Sequence, residues 1–267
     1  MKKDGNKNNK HYGRCAICGK YDELSFEHIP PRSAFNSNPI KAITGDNLSK
    51  VIESEERMPW DFEGINYENM QRGLEKYSIC KSCNNITGEL YGEEYKKVAY
   101  AAAWALHNNK EKLKDNCYMQ LKIEDVYISR FVKQVLSMFC SVYEVFTKKY
   151  SYVKDIILNK DKALEECNDF KIYAYLLKNA TLGFSGATVI GYNNGETDNI
   201  VEIYAYPFGF ILDLNPNKNR NEVELTQFLK YKYDEKFETT FYFQMHEKNI
   251  FFPLDYRSRK EIAECFK

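Results

Sequence analysis

Phe26-Glu27-His28-Ile29-Pro30-Pro31 lies between two Cys-x-x-Cys pairs, Cys15-Ala16-Ile17-Cys18 and Cys80-Lys81-Ser82-Cys83, and Asn84-Asn85 follows the second pair directly. Four thiolates in two close pairs can close a tetrahedral zinc site with no open position, so a zinc held this way is structural. The gap of 61 residues between Cys18 and Cys80 exceeds that of a short zinc ribbon, and a hairpin-and-loop insertion accounts for it. Leu24 to Ile29 predicts a short strand that the two prolines end, because each removes a ladder donor. Tyr77 to Ile79 predicts a second strand running into the second pair. A carboxylate beside a histidine, joined by a carboxamide from elsewhere, can build a different kind of metal site. On a strand, Glu27 and His28 point to opposite faces unless the strand ends or bulges there.

Between these strands, residues 32 to 75 lack clean periodicity and read as a long loop with one short helix near Glu53 to Glu56. Connections of that length are often functional. After the second pair, Tyr91, Tyr95, Val98, Ala102 and Ala105 recur at helical spacing, with Glu93, Glu94, Lys96 and Lys97 on the other side and Asn108-Asn109 as a stop. Tyr91 and Tyr95 are read as core. Thr87-Gly88 and Tyr91-Gly92 are read as serving helix packing and close backbone approach, since glycine is costly inside a helix. Further on, Val126 to Phe146 predicts a strongly amphipathic helix. Strands are predicted over Lys171 to Lys178, Ala187 to Tyr192, Ile200 to Tyr206, Phe208 to Leu212 and Phe237 to Met245. Asn193-Asn194-Gly195 supplies hairpin chemistry, and a helix is predicted over Glu222 to Leu229. This half reads as α+β with a mostly antiparallel sheet.

The chain has 267 residues, 43% of them hydrophobic, enough for one large domain or two modest ones. Its formal net charge is zero, and the first 90 residues balance 13 Lys and Arg against 13 Asp and Glu. Bulk charge therefore does not encode a sequence-independent grip on a polyanion. Residues 1 to 20 are the exception at +5. They read as a flexible solubilising tail over 1 to 12 or as a phosphate-seeking arm. No signal-peptide core opens the sequence, and no apolar run approaches the ~18 residues of a membrane span. With eight cysteines, this favours an intracellular, cytoplasmic metal protein over a disulfide scaffold. Cys117, Cys140, Cys167 and Cys265 are read as ordinary, mostly buried thiols, and His11, His107 and His246 as surface or satisfied core histidines.

Strand, long connection, strand and helix, with a cysteine pair at each end, resembles the HNH endonucleases of the ββα-metal fold. Cys15, Cys18, Glu27, His28, Ile29, Pro30, Cys80, Cys83 and Asn84 carry the resemblance. It also resembles a bacterial HNH subgroup in which Glu-His-Ile-Pro-Pro is followed by Cys-x-x-Cys-Asn-Asn-x-Thr-Gly and Tyr-Gly-x-x-Tyr. Here those run Cys80 to Gly88 and Tyr91 to Tyr95. The resemblance covers roughly residues 13 to 105. It implies an HNH nuclease domain over 13 to 115, followed by an α+β accessory domain over 116 to 267.

The resemblance further implies that His28 is the general base that deprotonates a water. Glu27 and Asn84 would ligate a catalytic Mg²⁺ or Mn²⁺, while Cys15, Cys18, Cys80 and Cys83 hold the structural Zn²⁺. Imidazole suits the base role because its pKa lies near neutrality. The family often has Asp or His at the position of Glu27 and His at that of Asn84; a neutral carboxamide weakens the metal site. Asn84 read on its own would be a helix cap. The family's central Asn has Asn47 as its candidate here, with Asn66 and Asn69 as competitors. Arg32, Arg72, Lys76 and Lys81 lie near the motif and are candidates to meet phosphates, or else solvated surface.

The expected function is metal-dependent hydrolysis of nucleic-acid phosphodiesters, DNA before RNA. The expected setting is a bacterial or phage-encoded restriction or phage-defence effector held quiet by a partner such as an ATPase. The rival is a non-catalytic zinc module binding nucleic acid or protein. A third reading is a structural subunit whose cysteine pairs merely stabilise a small lobe.

Overall fold

The computed structural model describes residues 10–52, 57–113, 117–216 and 218–265. The helix expected near Glu53 to Glu56 lies outside the described residues. So does the first part of the expected tail. His11 and Tyr12, also assigned to that tail, instead open β1 (His11–Arg14), pairing with Leu24 and Glu23 of β2 (Tyr21–His28). The long connection is not a bare loop. β3 (Ile40–Ala42) pairs antiparallel with β4 (Glu68–Met70), and α1 (Gly45–Ile52) lies between them. β5 (Glu75–Cys80) then returns antiparallel to β2, giving a three-stranded sheet of order β1-β2-β5. The next residue starts α2 (Lys81–Asn108), which ends at the expected asparagines. Tyr91 and Tyr95 are fully buried, as their spacing predicts.

The second half begins with β6 (Tyr118–Val126), then α3 (Ile128–Val142), α4 (Phe146–Lys149) and α5 (Tyr152–Leu158). The single predicted helix is thus interrupted at Tyr143–Val145. The main sheet is built from β7 (Lys171–Leu177), β8 (Leu182–Phe184), β9 (Thr188–Gly191), β10 (Thr197–Ala205), β11 (Phe208–Asp213), β12 (Val223–Glu224) and β13 (Phe237–His246). Its order is β6-β13-β7-β11-β10-β8, with β9 on β10 and β12 on β7. All pairs are antiparallel except β13 with β7, so the sheet is mixed but mostly antiparallel. Gly195, at φ +83°, makes the β9–β10 turn that Asn193-Asn194-Gly195 announces. α6 (Arg259–Cys265) closes the described chain.

The helix expected over Glu222 to Leu229 is absent. Val223 and Glu224 pair with Ala174 and Tyr173, and Thr226–Lys230 forms only a 3-10 turn. Free backbone groups on β7 capture this segment: Thr226 Oγ1 accepts the Ile172 N–H at 3.0 Å and the Leu225 N–H donates to the Ile172 carbonyl at 2.7 Å, beside a side-chain ion pair of Lys171 with Glu224 at 2.8 Å. Sheet pairing here overrides a local helical pattern.

α3 is buried at every position except Arg130 and belongs to a core that also takes in Ile17, Ile29, Ile79, Tyr95 and Phe210. Its buried lysine is accommodated by backbone carbonyls. The Lys133 ammonium spends its three hydrogens on the carbonyls of Asn159, Lys160 and Lys162, and burial lowers its pKa to about 8. Glu94 of α2, expected on the solvent side, is buried instead and accepts the Tyr127 N–H at the start of α3. No helix among the described residues is long and apolar enough to cross a membrane.

Gly209 faces the Tyr175 ring across the β11–β7 pair, where a Cβ would lie 1.9 Å from the ring. Gly209→Ala should lower stability by about 1–3 kcal/mol, read by chemical denaturation, because Tyr175 is fully buried and cannot swing aside.

Candidate metal and active site

The sulfurs of Cys15, Cys18, Cys80 and Cys83 lie within 4.8 Å of one another. Tetrahedral zinc with Zn–S bonds of about 2.3 Å needs sulfurs about 3.8 Å apart. The Cys18–Cys80 separation is 3.9 Å. The donor set therefore fits a metal such as zinc. The Cys18 N–H points at the Cys15 sulfur, 3.4 Å away, and Gly19 adopts the left-handed φ of +73° that closes the first pair. The Cys15 thiol is held down at about 4, chiefly by the hydrogen bond from Cys83, whose own thiol is pushed up by the same contact. A metal here would tie the β1–β2 turn to the first turn of α2. The Ala16 N–H already donates to the Ser78 carbonyl in the same place.

The other predicted residues meet where β2 ends. β2 is irregular between Ser25 and Phe26 and stops at His28. At that end both Glu27 and His28 reach one cavity of about 150 Å³, along with Phe26, Pro31, Arg32, Asn84, Thr87, Gly88 and Gln134. His28 Nε2 lies 3.0 Å from the Arg72 carbonyl, which can only accept. Nε2 therefore carries the hydrogen, and Nδ1 is left with the lone pair. Burial holds the His28 pKa below its ordinary value, so the ring is neutral near pH 7.

Asn84 does not cap the helix. Its Nδ2 donates to the Phe26 carbonyl at 2.7 Å and to Ser25 Oγ at 3.1 Å, which orients Oδ1 the other way. Glu27 is 4% exposed, and its Oε2 accepts from Ser141 of α3 and from Ser78 at 3.5 Å. Burial raises its pKa to about 8.

Asn47 does not brace this region. It is half-buried, and its side chain donates to the Asn66 carbonyl at 3.2 Å. The brace is Asn36, which sequence reasoning missed. It is buried; Nδ2 donates to the carbonyls of Pro30 and Leu74, both at 2.8 Å, and Oδ1 accepts the Leu74 N–H at 2.7 Å. It thus fastens the chain just after His28 to the chain just before β5. Gly73, at φ +95°, is needed beside it, since a Cβ would lie 2.2 Å from Asn36 Oδ1. That glycine immediately before a strand was the available signal.

Among the candidate phosphate contacts, Arg32 lines the cavity, and Arg72 lays its guanidinium 4.1 Å over the Phe26 ring. Lys81 is exposed at the first position of α2. Lys76 turns away, to the Ser141 carbonyl at 3.0 Å and Glu144 at 2.7 Å. Gly88 and Gly92 do not permit close backbone approach; a Cβ on either would meet nothing within 4 Å. They instead line an open groove of about 450 Å³ with Pro31, Arg32, Ser33, Ser37 and Glu93. The groove shares Pro31, Arg32 and Gly88 with the smaller cavity.

No protein-family model matches the chain, and neither a curated protein nor a solved structure gives a significant match.

Two measurements follow from this geometry. Elemental analysis should find about one zinc per chain, and Cys80→Ser should lose it together with thermal stability. In buffer free of divalent cations, folded Glu27 keeps its proton up to about pH 8, whereas the unfolded chain releases it near 4.5. The folded state then binds more protons, so stability falls as pH rises from about 5 to 8. Glu27→Gln should flatten that slope in thermal melts.

Proposed function

We propose that the chain is a metal-dependent endonuclease of HNH type that hydrolyses nucleic-acid phosphodiester bonds, DNA before RNA. One observation carries the reading: His28 lines the same small cavity as Glu27 and Asn84, on a hairpin whose other end carries a four-cysteine cluster. His28 has the properties of a base at neutral pH. It is neutral, its Nε2–H is fixed by the Arg72 carbonyl, and Nδ1 is left to take a proton from water. Asn36 holds the segment after His28 in register with β5, the bracing role for which Asn47, Asn66 and Asn69 were the candidates in the sequence. Arg32, on the wall shared by cavity and groove, is placed to meet a phosphate oxygen. Asn84 Oδ1 and a Glu27 oxygen are the donors for a hard divalent cation, Mg²⁺ or Mn²⁺. When bound, that cation would stabilise the charge growing on the departing 3′ oxygen. The resemblance implies products with 5′-phosphate and 3′-hydroxyl ends.

One observation favours a second reading, a zinc module that binds nucleic acid or protein without cutting. The Glu27 carboxyl is already engaged by Ser141 and Ser78 and is easily kept neutral. A divalent cation must then displace its proton.

The two readings separate on supercoiled DNA, single-stranded DNA and tRNA, each incubated with Mg²⁺, Mn²⁺ or EDTA. The parent should cut with metal and not with EDTA. His28→Ala should lose about 10²–10⁴-fold in rate. Equal, metal-insensitive behaviour of parent and variant would establish the binding module instead.

A further inference from the structure

α3 sends a second polar side chain to the same cavity. Gln134 lines it, is 3% exposed, and its Oε1 has no hydrogen-bond partner. The orientation of the amide is determined by its neighbour. Ser137 Oγ gives its only hydrogen to the Gln134 backbone carbonyl at 2.8 Å. It can therefore only accept from the Gln134 side chain, so Nε2 faces Ser137 at 3.2 Å and Oε1 is turned away from it. A buried amide oxygen without a donor is costly, and this one belongs to a residue that lines the same cavity as Glu27 and Asn84.

Resting on the nuclease reading of this site, we propose that Gln134 Oε1 is a third protein oxygen for the divalent cation, alongside Glu27 and Asn84. The ligand class follows from the donors. One carboxylate and two carboxamide oxygens are hard, carry one negative charge among them, and suit Mg²⁺ or Mn²⁺. Three protein oxygens in an octahedral shell leave three positions for waters and phosphate oxygens, which a phosphodiesterase requires. The Asn84 amide is oriented by the same logic: its nitrogen faces the Phe26 carbonyl, and its oxygen faces away. The cation would then be shared between the β2–α2 unit and α3, so the half of the chain outside the resemblance supplies part of the chemistry. Of the other buried polar residues of this helix, Ser137 and Ser141 are hydrogen-bonded, Lys133 is occupied by three carbonyls, and Ser129, whose Oγ also lacks a partner, does not line the cavity.

The test is Mn²⁺ binding to the full zinc-loaded chain, by calorimetry and by loss of the free-Mn²⁺ paramagnetic resonance signal. Gln134→Leu should weaken Mn²⁺ binding about tenfold or more with zinc content unchanged. Gln134→Glu, which keeps the oxygen and adds charge, should bind at least as tightly as the parent. It also carries the test if the leucine variant fails to fold, because a loss of binding in Gln134→Glu would then count against the ligand role. Parent and Gln134→Leu binding Mn²⁺ equally would overturn this inference and leave the nuclease reading intact. A parent that binds no second divalent cation would overturn both.

Discussion

The seating of α3 against the β2–β5 hairpin governs the arrangement of everything around the cavity. Near its C-terminal end, the Ser141 hydroxyl reaches the buried Glu27 carboxyl and its carbonyl takes the Lys76 ammonium. At its N-terminal end, Glu94 of α2 accepts the Tyr127 N–H. A carboxyl buried this deeply must be hydrogen-bonded or protonated, so Glu27 cannot be placed without also placing α3. The hairpin, α2 and the largely buried α3 thus fix one another, and the cavity is the space left where they meet.

Within that frame a backbone carbonyl orients the candidate base, with the Glu75 carboxylate 4.0 Å from the same nitrogen. The Arg72 carbonyl selects the tautomer of His28, and Asn36 holds the Arg72–Leu74 segment against Pro30 through three hydrogen bonds of 2.7–2.8 Å. Gly73 supplies the turn that lets the two segments approach. Such a brace fixes the imidazole without placing a competing acid or base on Nδ1. The four cysteines lie at the opposite end of the same hairpin, where a metal held by them would pin the β1–β2 turn to α2. Two short elements with little hydrophobic area of their own would therefore be held at both ends.

Much of this was legible in the residues because it is local. The cysteine spacing, the Pro30-Pro31 stop and the asparagine end of α2 each act within a few positions. β6 was legible too but went unread: Met119, Leu121 and Ile123 are buried between exposed neighbours in clean alternation. What could not be read depends on pairing across long separations. Ser141 lies 114 residues from Glu27, and no periodicity links them. Gln134 falls among the apolar residues of a helix whose pattern announces only burial. β12 shows the reverse case, in which a helical pattern yields to an open strand edge.

The wall formed by α3 also bears on how such a chain can change by recombination. A cut after α2 would separate Glu27 from the hydroxyl that holds it and strip the cover from Tyr95, which stacks on Phe131 of α3. The cysteine pairs mark what looks like a portable cassette, yet its working face is completed by a helix encoded further along. Shuffling that cassette onto a new partner would preserve its four-cysteine signature while discarding one side of its cavity.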